Sequence, residues 1–301
     1  MIPAPGPHGG DAHRLAEALG LDPTAVLDVS VSLNPFAPDV ADLAEGCLDA
    51  LRRYPDSKVA TTFLAEAIGV APESLVLTNG GSEAIALVAA ELGEGRVDDP
   101  EFSLYRRHLE RLSPTAPRWR SNPHNPSGRL ASPEEDAAVW DEAFYPLATG
   151  HWTRGDAGAV VVGSLTKVFA CPGLRLGYIL TPEDELAQRL RRRQATWSVN
   201  SLALALLPRL LDMADLPSWA AGIAGLRSEL IGLLTSFGLD PQPSDASWVL
   251  VPDAPGLRDR LAPEGVVVRD TSSFGLPGGA RIAVPGPDGL DRLAQALQAT
   301  A

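Results

Sequence analysis

A lysine, a serine and an arginine in the middle of the chain have the spacing needed for chemistry on a carbonyl compound that carries a phosphate. Lys167 closely follows the apolar run AVVVGSL, with Ser164 three residues before it and Arg175 eight residues after it. Burial at a strand end lowers the pKa of a lysine amine, which can then attack an electrophilic carbonyl. A hydroxyl and a guanidinium can clamp one phosphate between them. The alternative is a loop with an exposed lysine and a solvated arginine.

A glycine-rich turn provides a second set of groups that can bind an anion. Gly81 and Ser82 lie in the string NGGSEAI (79–85), between a predicted strand and a predicted helix. Glycines let the backbone N–H groups of a helix N-terminus approach a phosphate, and the helix dipole favours the negative charge. The string lacks the G-x-G-x-x-G spacing of dinucleotide-binding folds, which argues against a Rossmann dehydrogenase. An ordinary tight turn is the alternative.

Five strings in chain order resemble the cofactor motifs of fold-type-I pyridoxal-phosphate (PLP) enzymes, the class I and II aminotransferase superfamily. They are NGGSEAI (79–85), PEFSLY (100–105), NPHNPSG (122–128), DEAF (141–144) and SLTKVFACPGLRLGY (164–178). The resemblance covers nearly the whole chain and implies pyridoxal 5′-phosphate as the cofactor. It also implies an α/β fold, in which a large domain with a mostly parallel sheet holds the cofactor and a small α+β domain follows.

The resemblance implies a role for each motif residue. Lys167 would hold the cofactor and act as acid and base, Asp141 would accept the proton of the pyridinium N1, and Asn125 would donate to the phenolic oxygen O3′. An acid at N1 keeps the ring cationic, so that it accepts electrons from the substrate Cα. Phe102 would stack on the pyridine ring. The contacts implied for the cofactor phosphate are Gly81, Ser82, Ser164 and Arg175.

Each of these roles has an ordinary structural alternative. Asn125 fits an Asn-Pro turn, Phe102 fits a core aromatic, and Asp141 fits a surface acid at a strand end. The motif match over the whole string favours the cofactor roles.

Two arginines near the C-terminus complete the predicted site on the substrate side. In this family the arginine of the R-I-x-V strand holds the substrate carboxylate or phosphate, which makes Arg281 of ARIAV the implied anion anchor. Arg269 is the second candidate anchor, and a solvated arginine at a strand end is its alternative.

Three strings resemble one branch of the family in particular, the L-threonine-O-3-phosphate decarboxylases of cobalamin synthesis: HGG (8–10), SLNP (32–35) and RDTSSFGLPGG (269–279). This branch is closely related to the histidinol-phosphate aminotransferases. It implies His8 and Asn34 as contacts of a substrate phosphate. Tyr54 of RYPD resembles the tyrosine that reaches the partner's cofactor phosphate, so the resemblance also implies a homodimer.

The resemblance leaves the reaction open. Decarboxylation of phosphothreonine and transamination of the histidinol-phosphate type use the same residues, and they differ in which bond at Cα stands perpendicular to the ring. The arm and the C-terminal strings favour the decarboxylase. A catalytically degenerate homologue is a third hypothesis, since Phe144 stands where many aminotransferases carry a tyrosine that donates to O3′.

Two intervals between the motifs are short. Tyr105 and Asn122 are 17 positions apart, and Asn125 and Asp141 are 16 positions apart. In the family both stretches hold additional strand and helix, and a parallel crossover alone needs about a dozen residues. Either the sheet has lost strands or Asp141 is reached by an abbreviated route.

Apolar runs and amphipathic stretches predict the elements that must position these residues. Strands are predicted at 26–35, 74–78, 159–165, 175–180, 248–252, 265–269 and 280–284. Helices are predicted at 11–19, 39–53, 58–68, 83–92, 183–213 (with breaks), 216–236 and 287–298. The short β-branched strands are typical of a sheet covered on both faces. We expect an N-terminal arm that packs with the small domain (1–35), a large PLP-binding domain (36–205) and a small C-terminal domain (206–301).

Composition limits the classes of partner. Lys and Arg number 25 against 38 Asp and Glu, and the net charge of −13 argues against nucleic acids and anionic membranes. The histidines and cysteines show no metal-ligand spacing, so no metal site is expected. Two cysteines cannot build a disulfide framework, and no secretory signal or membrane-spanning run is visible. We therefore expect a cytoplasmic protein, and the family resemblance implies an enzyme that acts on a small amino substrate.

Overall fold

The computed structural model describes residues 2–6 and 8–300. In this part of the chain it has twelve α-helices: α1 (Ala12–Leu19), α2 (Val40–Glu45), α3 (Lys58–Ile68), α4 (Gly80–Leu92), α5 (Ser103–His108), α6 (Tyr145–Thr149), α7 (Leu165–Val168), α8 (Asp184–Arg193), α9 (Ser201–Asp212), α10 (Leu216–Ser236), α11 (Leu257–Leu261) and α12 (Pro287–Ala299). None of the helices in these residues is long and apolar enough to cross a membrane.

The same residues form twelve strands: β1 (Leu27–Asp28), β2 (Leu75–Thr78), β3 (Glu94–Val97), β4 (Arg111–Leu112), β5 (Arg118–Ser121), β6 (Val139–Asp141), β7 (Val160–Ser164), β8 (Gly177–Leu180), β9 (Trp248–Val251), β10 (Val266–Val267), β11 (Arg269–Asp270) and β12 (Ala280–Ala283).

Seven strands form the central sheet, in the order β2-β8-β7-β6-β5-β3-β4. The pairs within β7, β6, β5, β3 and β4 are parallel, whereas β8 runs antiparallel to both β2 and β7. The prediction of an α/β fold with a mostly parallel sheet is therefore confirmed.

Both faces of this sheet are covered, as the β-branched runs predict. Leu75 and Leu77 of β2 pack in one cluster with Leu64 of α3, while Val76 packs in the cluster on the opposite face with Val88 of α4. Successive residues of a strand point to opposite faces, so an all-apolar strand needs a helix on each side. Burial of each such side chain stabilises the fold by roughly 2 kcal/mol.

The two short intervals resolve in favour of the abbreviated route. Strands β4 and β5 both lie between Tyr105 and Asn122, and β6 ends at Asp141. Residues 122–138, which cross from β5 to the parallel strand β6, contain neither helix nor strand. The first interval thus contains two strands of the central sheet, and the connection from β5 to β6 contains no helix.

The C-terminal part of the chain builds a second sheet. Strands β11, β12 and β9 pair antiparallel in that order, and their apolar side chains pack with α10 and α12. The short strand β1 pairs parallel to β10. On α1, Leu15 packs against Ala262 and Val267.

Several predicted elements differ in extent. The strand predicted at the start of 26–35 is limited to β1, and 265–269 is split into β10 and β11. The stretch 183–213 is interrupted as predicted and forms α8 and α9. Strands β3 to β6 were not predicted. The expected domain boundary between 205 and 206 falls inside α9, whose buried side chains pack with the central sheet. The division into domains remains a prediction, and this helix belongs with the central sheet.

Candidate active site

One cavity of about 540 Å³ lies where the parallel strands of the central sheet end. Eleven of the thirteen predicted site residues line it: His8, Gly81, Ser82, Phe102, Asn125, Asp141, Ser164, Lys167, Arg175, Arg269 and Arg281. They meet because neighbouring parallel strands end at the same edge of a sheet. Ser121, Asp141 and Ser164 are the last residues of β5, β6 and β7. Their individual roles remain proposals.

Asp141 is fixed by two donors. The hydroxyl of Tyr105 donates to Asp141 Oδ2 at 2.7 Å, and the Ala143 amide donates to Oδ1 at 3.1 Å. Burial raises the pKa of Asp141, and these hydrogen bonds and the Lys167 charge act in the opposite direction. A carboxylate held in this way can keep a proton on a nitrogen placed beside it.

Lys167 has the properties expected of a reactive amine. It lies on α7, just after β7. Burial, and then the nearby positive charges of Arg281, Arg175 and Arg269, lower its pKa to about 8, although the negative charge of Asp141 acts to raise it. Its Nζ lies 5.8 Å from the centre of the Phe144 ring. Free amine is consequently present near neutral pH, as nucleophilic and acid–base roles require.

The glycine turn, Ser164 and Arg175 lie together at one end of the cavity. Gly80 has a φ of +77°, and a Cβ there would clash with the Arg175 guanidinium, so glycine is needed for this close approach. A Cβ on Gly81 would lie 3.4 Å from Ser164 Cβ. The glycine therefore keeps open the space between the N-terminus of α4 and Ser164, whose Oγ lies 2.8 Å from Thr166 Oγ1.

Arg281 and Asn125 are joined directly. Arg281 Nη1 donates to Asn125 Oδ1 at 2.7 Å, and the guanidinium lies 4.8 Å from the centre of the Trp248 ring. Burial and the neighbouring Arg269 lower the pKa of Arg281 well below its usual value. Because Oδ1 is already bound, the amide nitrogen Nδ2 is the part of Asn125 left to donate to a ligand.

The loop that carries Asn125 is held by hydrogen bonds that involve the buried carboxylate of Glu101 and a tryptophan of the second sheet. Glu101 accepts hydrogen bonds from Ser121 N at 2.9 Å and Ser121 Oγ at 2.6 Å, and that Oγ accepts from Asn125 N at 2.8 Å. Burial raises the pKa of Glu101 to about 7. From the second sheet, Trp248 Nε1 donates to Pro126 O at 2.8 Å.

Arg269 and His8 lie on the side of the cavity formed by the C-terminal strands and the N-terminal arm. Burial lowers the pKa of Arg269 to about 10, and its guanidinium lies 4.5 Å from the centre of the Phe274 ring. The His8 ring is 5.7 Å from the Phe102 ring. Burial, then the charges of Arg269 and Arg107, lower the pKa of His8.

Two predicted residues do not line the cavity. The Nδ2 of Asn34 donates to Val168 O at 2.9 Å and its Oδ1 accepts from Phe36 N at 3.0 Å, so both ends of the amide hold backbone. In the structure this side chain braces the segment that carries Lys167, and the implied contact of Asn34 with a substrate phosphate remains a prediction that the cavity lining does not support. Tyr54 is 77% exposed and stacks on Trp197 with ring centres 4.3 Å apart.

The structure also brings residues to the cavity to which the sequence analysis assigned no role: Ser32, Arg107, His108, Ser121 and Thr166. Ser32 and Thr166 lie inside motif strings and Ser121 immediately precedes one, so their proximity had a sequence signal. Arg107 had none, because it follows Arg106 in a helix of ordinary composition.

The residues present fit PLP. A phosphate suits the glycine turn with Ser164 and Arg175, since helix N–H groups, a hydroxyl and a guanidinium converge there. Asp141, buried and held by Tyr105, suits the pyridine nitrogen, and Lys167 suits the carbonyl carbon.

Comparison with known proteins agrees with this geometry. The sequence signature of the family described as aminotransferase class I and II matches residues 119–297. The histidinol-phosphate aminotransferase 1 of Dechloromonas aromatica is 26% identical over 95% of this chain and 92% of its own length. The threonine-phosphate decarboxylase of Salmonella typhimurium is 32% identical over 65% of this chain and 67% of its own length.

A solved structure shares the fold. Histidinol-phosphate aminotransferase from Sinorhizobium meliloti, crystallised in complex with pyridoxal-5′-phosphate, superposes with a TM-score of 0.84 at 18% identity, covering 100% of this chain and 96% of that one. The family signature spans more than half of the sequence and includes Asn125, Asp141, Lys167 and Arg281. This chain belongs to the class I and II aminotransferase family, and is thus a PLP-dependent enzyme, a transaminase or a decarboxylase.

Proposed function

We propose that the enzyme acts at Cα of a small amino acid that carries a phosphate, and that its reaction is the decarboxylation of O-phospho-L-threonine, as in cobalamin synthesis. The observation that carries this proposal is a pair of buried arginines, Arg269 and Arg281, that line the cavity in addition to Arg175. Arg175 lies against the glycine turn and is taken by the cofactor phosphate. Arg269 and Arg281 add buried positive charge to the rest of the cavity, which suits a substrate that carries both a carboxylate and a phosphate.

Arg281 is the better placed of the two to orient a carboxylate. Its hydrogen bond to Asn125 and the face of Trp248 fix the guanidinium, and a fixed planar group binds a carboxylate through two parallel hydrogen bonds. This orientation decides which bond at Cα is broken.

The remaining polar residues hold or move protons. PLP, when bound, withdraws electrons from the bonds at Cα. Asp141 would keep a proton on the pyridine nitrogen, and Asn125 would donate through Nδ2 to the phenolic oxygen. When the carboxylate leaves as CO2 and its bonding electrons stay with Cα, Lys167 would deliver a proton to that carbon. A pKa of about 8 populates both the ammonium and the amine near neutral pH, so the same residue can donate and accept.

Transamination of a histidinol-phosphate type of substrate is the second candidate. It is supported by the extent of similarity, because the Dechloromonas aromatica aminotransferase aligns with 95% of this chain and the Salmonella typhimurium decarboxylase with 65%. In that reaction Lys167 would move a proton from Cα to C4′ of the cofactor.

Two product assays on the PLP-loaded enzyme separate these candidates. CO2 release from O-phospho-L-threonine supports the decarboxylase. Glutamate formation from 2-oxoglutarate, with histidinol phosphate consumed as the amino donor, supports the transaminase. L-Threonine without a phosphate is the control substrate. Absence of both products from a preparation whose visible spectrum shows bound PLP would refute both substrate assignments.

We also propose a cytoplasmic homodimer in which Tyr54 reaches the partner's cofactor phosphate. In support, Tyr54 is exposed and does not line the cavity of its own chain. A monomer in solution that still holds PLP would contradict this assembly.

A further inference from the structure

We propose that Arg107, together with His8 and Ser32, binds the phosphate of the substrate, which makes Arg107 a specificity-determining residue. This inference rests on the proposed function, because it assigns a contact to the phosphate that the proposed substrate carries. Neither the sequence motifs nor the comparisons single out Arg107. We call these three residues the arm wall of the cavity, since two of them lie in the N-terminal arm.

Two adjacent arginines of α5 behave differently. Arg106 forms an ion pair with Asp99 at 2.7 Å and donates to Val97 O at 3.0 Å, and it does not line the cavity. Arg107 lines the cavity and is exposed to solvent, which puts it at the opening. Within residues 2–6 and 8–300, no hydrogen bond or ion pair to the Arg107 guanidinium is found.

The arm wall also contains two buried polar atoms that have no hydrogen-bond partner among the described residues. The Oγ of Ser32, a residue that is 1% exposed, and the Nδ1 of His8 are both buried and make no hydrogen bond to any described residue. Buried hydroxyl and imidazole groups are otherwise almost always paired, because leaving them unpaired costs free energy. Both groups line the same cavity as Arg107.

A ring contact places His8 beside the helix that carries Arg107. The His8 ring lies 5.7 Å from Phe102, the residue that immediately precedes the helix of Arg107. Burial, and then the positive charges of Arg269 and Arg107, lower the pKa of the His8 imidazole. All three residues line the same cavity.

The described residues that line the cavity carry far more positive than negative charge. Asp141 is the one carboxylate among them, and it is engaged by Tyr105. Arg107 lies in the same lining as Arg175, Arg281 and Lys167, and in a protein of net charge −13 such a group of cations in one cavity indicates an anionic ligand. A phosphate monoester offers three terminal oxygens and up to two negative charges, which match a guanidinium, an imidazole N–H and a hydroxyl better than a second carboxylate does.

The experiment compares two ligands on two variants. PLP-loaded wild type, Arg107→Gln and the matched control Arg106→Gln are titrated with O-phospho-L-threonine and with L-threonine, and the change in the visible absorption of the cofactor gives each Kd. In Arg107→Gln we expect the preference for the phosphorylated ligand to fall roughly tenfold or more, because a charge-assisted hydrogen bond is lost. The Kd for L-threonine and both values for Arg106→Gln should stay unchanged. Arg107→Lys, which keeps the charge, should recover part of the preference.

The possible failures are distinct. A wild type that prefers the phosphorylated ligand while Arg107→Gln keeps that preference in full overturns the role of Arg107 and leaves the proposed function standing. A wild type without any preference overturns the phosphorylated substrate itself. Equal losses in Arg106→Gln and Arg107→Gln would reduce the effect to general surface charge and overturn the specific contact.

Discussion

The two sides of the cavity differ in how their polar groups are satisfied. On the side formed by the strand ends, Asp141 is held by Tyr105, Asn125 by Arg281, and Ser164 by Thr166. On the arm wall, His8 Nδ1 and Ser32 Oγ find no partner within the described chain.

The difference separates what the protein builds in advance from what its ligand completes. Groups already fixed by neighbours need no reorganisation when a reaction proceeds, which is the source of electrostatic catalysis. Groups left unpaired gain their hydrogen bonds only from a bound molecule, and so they contribute to selection between molecules. Chemistry is thus expected to depend on the strand-end side, and substrate choice on the arm wall.

The largest effect is expected at Lys167. Lys167→Ala removes the amine that holds the cofactor and moves the proton, so kcat should fall by more than about 10⁴-fold. The visible absorption band of the bound cofactor should also disappear. Far-UV circular dichroism, unchanged from wild type, would show that the fold survives. Retention of the band would mean that another amine holds the cofactor.

A smaller effect is expected from the partner of Asp141. Tyr105→Phe keeps the packing of the ring and deletes the donor to Asp141 Oδ2, so the carboxylate is less well oriented. Because a hydrogen bond to a charged group is worth about 1.5–3 kcal/mol, we expect kcat to fall roughly tenfold to hundredfold with little change in KM. A rise in KM without a fall in kcat would assign Tyr105 to substrate binding. It would contradict the division of the cavity into a strand-end side for chemistry and an arm wall for substrate choice.

The buried acid beneath Asn125 should make stability depend on pH. Burial raises the pKa of Glu101 from 4.5 to about 7 in the folded protein. The folded state therefore binds the proton more tightly than the unfolded state, and this stabilising contribution is lost as the pH rises from about 5 through 7. The loss approaches about 3 kcal/mol by pH 8.

Glu101→Gln tests this by removing the ionisation. Urea unfolding at pH 5 and pH 8 should show a smaller loss of unfolding free energy with pH in the variant than in wild type. Glu142, whose pKa burial also raises to about 7, is present in both proteins and cancels in the comparison. Glu134→Gln, at an exposed position, is the control. Identical pH slopes for Glu101→Gln and wild type would show that Glu101 stays ionised in the fold.

The smallest effect is expected on the arm wall. Ser32→Ala removes a buried hydroxyl that has no partner among the described residues. Its midpoint of urea unfolding should therefore be unchanged or slightly higher, since no protein hydrogen bond is lost. Binding of O-phospho-L-threonine should weaken by about threefold to tenfold, with binding of L-threonine unaffected. A clear loss of stability instead would mean that Ser32 serves the fold.

Sequence patterns predicted the site better than the sheet that builds it. Motif strings record side-chain chemistry at fixed spacing, so Asn125, Asp141 and Lys167 could be placed together before any fold was known. Strands β2 and β7 were visible because every residue is buried. Strand β5 was missed because its arginines pair with acids in loops, as Arg120 does with Glu135 at 2.9 Å, and this hides the apolar pattern.

Two residues show the limit of the motifs. Asn34 lies in a string typical of the phosphothreonine branch, yet its amide turns toward the backbone near Lys167. Arg107 carries the same side chain as Arg106 one position earlier, and only the direction of each around the helix separates an ion pair from a cavity lining. Spacing along the chain does not record which way a loop side chain turns.

The crossover without a helix has a consequence for the order of folding. Because residues 122–138 have no helix of their own, Asn125 and Pro126 depend on Arg281 and Trp248, which are 156 and 122 residues away along the chain. Contacts closing such long loops form late, after the local contacts of the central sheet. A chain still being synthesised can therefore complete the sheet before it can complete the cofactor site, which is finished only when the last strands dock.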